Sequence, residues 1–301
     1  MGFSTEIATM TPSLSQVIQV LGQPSPPKQI TQQPFDYDSS HYRRLCQVNG
    51  AAPTLSDLSC YVDDMRFMPL QPDLLRYLLP QCLKMWQEDL LSGSRTTGRG
   101  GTVEAFWAAL SPHPPKTAFL LEEELTAKEY GSVMRFMRDT LLTRMSQETQ
   151  LYFAGSNSSP YQWFYALGSF SNVFPALDSL WNEWWQLNTL GHAVCVLQYF
   201  SCLMYPSDKN PVFAPWTPDS GGGPPELSEN DALVSEAGWR RENIAFLAET
   251  LTLNAVYVKL QAAAAICTPF GAGLPERILA DWPRCQELAA TQIAGLPKLL
   301  A

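Results

Sequence analysis

Two adjacent carboxylates, Asp63 and Asp64 in CYVDDMRF, are the side chains of this sequence best suited to hold a divalent metal. Paired hard oxygens at a helix end suit magnesium. His192 and Cys195 stand three apart on a predicted helix, which sets an imidazole and a thiol on one face. A catalytic pair also needs the ring nitrogen aimed at the sulfur and a third group to orient it. The apolar text around them reads instead as a core thiol beside a polar neighbour. His41, His113 and His192 are isolated, and no two cysteines are spaced as C-x-x-C, so no zinc set is expected. No G-x-S-x-G elbow occurs, and the loop SGSRTTGRGGT at 92–102, with Arg95 and Arg99, lacks the G-K-[ST] ending of a phosphate-binding loop. No catalytic residue, metal or cofactor is assigned.

The D-D-x-x-F text beginning at Asp63 resembles the first metal motif of class I terpene synthases. That resemblance implies a helical, magnesium-dependent enzyme with Asp63 and Asp64 as ligands, and the chain's length and aromatic richness accord with it. The second motif of that family requires Asn, then Ser or Thr four on and Glu eight on. From Asn230 those positions hold Val234 and Gly238, and from Asn182 they hold Gln186 and Leu190. The Arg-Tyr pair expected near the carboxyl end is also missing. The match covers five residues, so Asp63 and Asp64 are expected on a solvated helix face, and the metal enzyme stands as the alternative.

Charge is distributed unevenly. Between Arg144 and Arg240 nine acids face one cation, Lys209, and the same stretch holds six of the nine tryptophans. It supplies about −8 of the formal net charge of −9, leaving the remainder nearly balanced. Long-range attraction from carboxylates and contact area from rings together suit a basic protein partner. The expected contact residues are Asp178, Glu183, Trp184, Trp185, Trp216, Asp219, Glu226 and Glu229. Trp181, Trp184 and Trp185 follow i, i+3, i+4, which fits core packing and also fits a partly exposed stripe beside Asp178 and Glu183. An immunity protein that neutralises a basic toxin is one form of this non-catalytic reading; a structural subunit of an assembly is another. A sequence pI near 4.9 argues against nucleic acid and against anionic lipid. Seven cysteines without a pairing pattern suggest reduced thiols, and the start MGFSTEIATM lacks a secretory pattern, so a cytoplasmic location is expected.

The elements that must position these residues read as all-α, with long Pro/Gly-rich loops. Residues 1–34 hold one helix, with Leu14, Val17, Ile18 and Leu21 as its stripe, and a proline-rich connector; residues 35–301 form a single helical domain. Thr54 with Asp57, Thr126 with Glu129, and Ser228 with Asp231 resemble helix starts. Glu122, Glu123 and Glu124 place negative charge before the Thr126 cap. Pro80 either kinks a helix or begins a second one. A short helix is expected over 103–110 and an extended segment over 116–121. Gly191 is expected to divide two helices, and the loop 206–230 carries six prolines. From Ala237 to Cys267 one long helix is predicted, with Trp239, Phe246, Leu247, Leu251, Val258 and Ala262 facing inward. A last helix follows Pro275 or Pro283, and Arg240 and Arg241 are expected in ion pairs.

Overall fold

A computed structural model of the chain describes residues 13–33, 38–46, 53, 55–65, 70–92, 110, 121–151, 161–205 and 239–300. Among the described residues every regular element is a helix. In chain order they are α1 (Leu14–Leu21), α2 (Ser39–Cys46), α3 (Leu55–Met65), α4 (Pro72–Ser92), α5 (Leu121–Glu124) and α6 (Ala127–Ser146). Then come α7 (Tyr161–Val173), α8 (Leu177–Trp185), α9 (Leu190–Met204), α10 (Arg241–Thr250), α11 (Leu253–Cys267) and α12 (Leu274–Gly295), with a closing 3₁₀ turn, Leu296–Leu300. The expected all-α class is the observed one. The helix expected to open at Thr54 is α3; Thr54 itself, the helix start expected at Ser228, the short helix over 103–110 apart from Leu110, and most of the segment 116–121 lie outside the described residues, and Leu121 opens α5.

The centre of the molecule is α9. Every residue from Gly191 to Met204 is buried, so the helix has no solvent-facing side and is encased by α6, α8, α11 and α12. Thr189 caps it by accepting the His192 backbone N–H at 3.1 Å. Gly191 lies inside this helix instead of dividing it from α8. The division falls at 186–189, where Leu187 takes a left-handed φ of 58° and the axis turns by 114°. A β carbon on Gly191 would overlap the carbonyl oxygens of Met145 and Ser146, so the absent side chain lets α9 start directly against the end of α6.

Local chemistry explains the other boundaries. Thr126 and Glu129 form the expected capping box, with Glu129 Oε2 accepting the Thr126 N–H at 2.8 Å and the Thr126 hydroxyl accepting the Glu129 N–H at 3.3 Å. Glu129 also pairs with Arg76, which ties α6 to α4. Although burial pushes its carboxyl upward, hydrogen bonds from Thr126 and the Arg76 guanidinium hold it below the usual range. Pro80 sits inside an unbroken α4, and Pro275 occupies the first turn of α12 with Pro283 further along it. The single helix expected over 237–267 is two helices, bent by 81° at Leu251 and Thr252. Thr252 caps the second by accepting the Ala255 N–H at 3.1 Å. Phase is therefore lost at the bend. Trp239, Leu247 and Leu251 do face inward and Phe246 is half-buried, but Val258, expected inside, is 53% exposed, and Ala262 faces outward with it.

The amino-terminal helix is stitched to the rest. Val17 and Leu21 enter the core against α6 and α4. Gln71 Oε1 accepts the Thr31 and Gln32 N–H groups at 2.7 and 3.1 Å, while Gln32 Oε1 accepts the Gln71 N–H at 3.0 Å.

Candidate functional site

The aromatic text around Trp181 folds as core. Trp163, Trp181 and Trp184 have no exposed surface, and Trp239 is buried as well. Trp181 meets Trp184 edge-on at a centroid separation of 4.9 Å and stacks on Trp185 at 5.2 Å; Tyr199 and Phe200 of α9 close the cluster. Edge-to-face packing matches the positive rim of one ring to the negative face of the next. The Trp184 indole N–H donates to the His192 carbonyl at 3.0 Å, and the Trp163 N–H donates to Gln198 Oε1 at 3.0 Å. Trp184, expected at a partner interface, therefore offers no surface and supports α8 from beneath. Trp185 is half-buried; the Lys259 ammonium stands 5.1 Å from its ring centroid and donates to its carbonyl at 2.6 Å.

The outward edge of α8 carries Asp178, Asn182, Glu183 and Gln186, all exposed. Next to its amino end lies a clamp built on buried Asn243 of α10. The side-chain amide donates to the Ser171 and Phe174 carbonyls, both at 2.7 Å, and its oxygen accepts the Leu177 N–H at 3.1 Å. The Arg240 N–H also donates to the Ser171 carbonyl, at 3.0 Å, and the Arg240 guanidinium pairs with Glu122 at 2.5 Å. Arg241 instead donates to the Leu300 carbonyl. Arg240 thus lies against the end of α7 at the Ser171 carbonyl. At the end of α9 the Tyr205 hydroxyl donates to Asp281 Oδ2 at 3.0 Å. The sequence between, 206–238, contains six carboxylates and Lys209, a net of −5. Of the expected contacts, Asp178 and Glu183 are exposed on α8, whereas Trp216, Asp219, Glu226 and Glu229 fall outside the described residues.

Of the residues singled out for chemistry, His192 and Cys195 are buried as the core reading expected, whereas Asp64 is placed differently. Asp64, expected on a solvated face, is 1% exposed and accepts the Tyr42 hydroxyl at 3.0 Å. Burial, then the Asp64 charge, pushes the Tyr42 hydroxyl well above its usual range, so Tyr42 stays a donor. Side-chain placement of Asp63, Arg95 and Arg99 lies outside the described residues. Among the described residues no group of three or more His, Cys, Asp or Glu converges as a metal set. The Cys195 thiol points at the Met145 carbonyl, 3.7 Å away, and burial pushes it far above the ordinary thiol range. His192 is buried beside it in sequence, and burial pushes its imidazole downward, against the nearby Leu142 carbonyl and Glu183 charge. Both groups are thus held neutral, the opposite of an activated thiolate–imidazolium pair.

A polar cluster that the sequence did not announce lies where α6 meets α9. Arg144 and Glu148, both buried, pair at 2.5 Å. Gln198 lies against them and donates to the Gln150 carbonyl at 2.9 Å. Burial raises the Glu148 carboxyl, opposed by Arg144 and Gln198. The i, i+4 spacing of Arg144 and Glu148 was the available signal, but spacing carries no information on depth. Among the described residues no single helix is long and apolar enough to cross a membrane. Comparison of the chain with protein-family models, curated proteins and solved structures found no match to any of them.

Proposed function

We propose that this chain is a non-catalytic acidic binding protein that receives a basic protein, with neutralisation of a toxin by an immunity protein as the specific form. One observation supports the reading: Asp178 and Glu183 stand exposed on α8, in a chain whose sequence 206–238 carries a net charge of −5. Anionic surface raises encounter rates with cations and orients them before contact. The rigid aromatic layer below α8 supports such an edge without contributing contact area itself, so the anchoring rings reduce to Trp185 and, from the sequence, Trp216.

The test is kinetic. A partner captured from a low-salt extract of the source cells and released by high salt is purified and its association timed against the natural chain. The charge reversals Asp178→Lys with Glu183→Lys, and Asp219→Lys with Glu226→Lys and Glu229→Lys, are then compared. Each set is expected to slow association about tenfold at low salt and to flatten its salt dependence, with a smaller change in dissociation. On-rates equal to those of the natural chain remove the proposal.

A further inference from the structure

His192 stands in the first turn of α9, where three helices meet. The Trp184 indole N–H donates to its carbonyl at 3.0 Å, which sets the end of α8 against it. Gly191, one residue earlier, lies on the closing carbonyls of α6. The imidazole is 5% exposed, and neither nitrogen makes a well-formed hydrogen bond. Two acceptors face it: the Leu142 carbonyl from α6 and the Glu183 carboxylate from α8. Other charges on the helices around α9 have partners of their own. Arg144 pairs with Glu148 at the end of α6, the Lys259 ammonium of α11 donates to the Trp185 carbonyl, and Arg277 of α12 pairs with Asp281. Cys195, one turn along α9, is neutral and turned to the Met145 carbonyl.

A neutral imidazole donates through one nitrogen, whereas an imidazolium donates through both. Two facing acceptors therefore match the charged ring and leave one of them unserved by the neutral ring. A buried cation is costly unless it is paired, and the carboxylate facing this ring is Glu183. Glu183 is exposed on the outward edge of α8 and has no ion pair among the described residues. We propose that His192 is a proton-operated control on that edge: in acid its imidazolium pairs with the Glu183 carboxylate, cancels one of the two charges there, and weakens the hold on a basic partner. The consequence for a partner rests on the binding reading above, whereas the pairing is a property of this chain alone. Burial opposes protonation of the ring and outweighs the favourable Leu142 carbonyl and Glu183 charge, so the pair forms only below pH 6.5. Near neutral pH the ring is uncharged and the Glu183 charge acts outward undiminished. The Trp184 bond fixes the backbone beside Glu183, which confines the change to side chains.

The pairing is tested on the full chain by following the ring signals of His192 in NMR spectra, assigned through the backbone, as the pH is lowered from about 8. The natural chain is compared with Glu183→Gln, a change on an exposed edge that leaves the core intact. The His192 midpoint should fall in the variant by about half a pH unit or more, because the carboxylate that favours the imidazolium is gone. Equal midpoints overturn the proposal. The consequence is read with fluorescein-labelled decalysine at low ionic strength. Near pH 7.5 the natural chain should bind it about two- to threefold more tightly than Glu183→Gln, and below the His192 midpoint the two should converge, since the imidazolium has already cancelled Glu183. A ratio that stays the same at both pH values also overturns the proposal. If decalysine binds neither chain at either pH, the binding reading fails and release fails with it, while the midpoints still decide the pairing.

Discussion

His192 shows what depth does to a single side chain. Its ring is buried, with the Leu142 carbonyl as the nearest polar partner and no well-formed hydrogen bond to it. Burial lowers its affinity for a proton below that of an unfolded imidazole, whose ordinary value is 6.5. Below that pH the unfolded chain takes up a proton that the folded chain refuses, so the stability associated with neutral His192 is present above about 6.5 and erodes on acidification. Urea unfolding at pH 7.5 and 5.5 should therefore show a steeper loss for the natural chain than for His192→Met, which has nothing to titrate there; parallel losses would contradict the assignment. The residue types behind this behaviour were visible in the sequence, but their depth was not. Asp64 illustrates the same gap, since a carboxylate after another carboxylate reads as solvated until Tyr42, 22 positions earlier, is known to bond it.

At the scale of elements, short-range chemistry was legible and long-range contact was not. The Thr126–Glu129 box could be read because both partners lie within one turn, and Val17 with Leu21 could be read from helical spacing. The bend at Thr252 was missed, although threonine followed by Leu-Asn-Ala has the form of a cap, because the apolar text runs on through it without a proline or glycine. Gly191 was taken for a breaker on the same local logic, whereas its role depends on the end of α6. That difference is measurable. Gly191→Ala should destabilise by about 1–3 kcal/mol, since the added carbon meets immobile carbonyls. Gly131→Ala, in α6 with nothing near the new carbon, should stabilise by roughly 0.5–1 kcal/mol. Chemical denaturation of both variants distinguishes a packing glycine from an incidental one; equal signs would refute the account.

For the molecule as a whole, Asn243 joins segments that sequence keeps far apart, binding the end of α7, the start of α8 and the start of α10 through one side chain. Replacing it by leucine keeps the branched shape and leaves buried peptide groups unpaired, at about 2–3 kcal/mol, and should appear as a lower urea midpoint. A midpoint within a few tenths molar of the natural chain would show the clamp to be dispensable. The aromatic interior of the candidate site was partly legible, since Trp181, Trp184 and Trp185 have core spacing; that Trp184 would be sealed and Trp185 left half-open follows from how α9 and Lys259 pack on them. The attachments at Tyr205 and at Arg240 have a practical corollary. Each is made to a different part of the helical body, Tyr205 to Asp281 of α12 and Arg240 to Ser171 of α7, so neither depends on the other for its partner. Chain cleaved between them should keep both hydrogen bonds and remain one body in gel filtration.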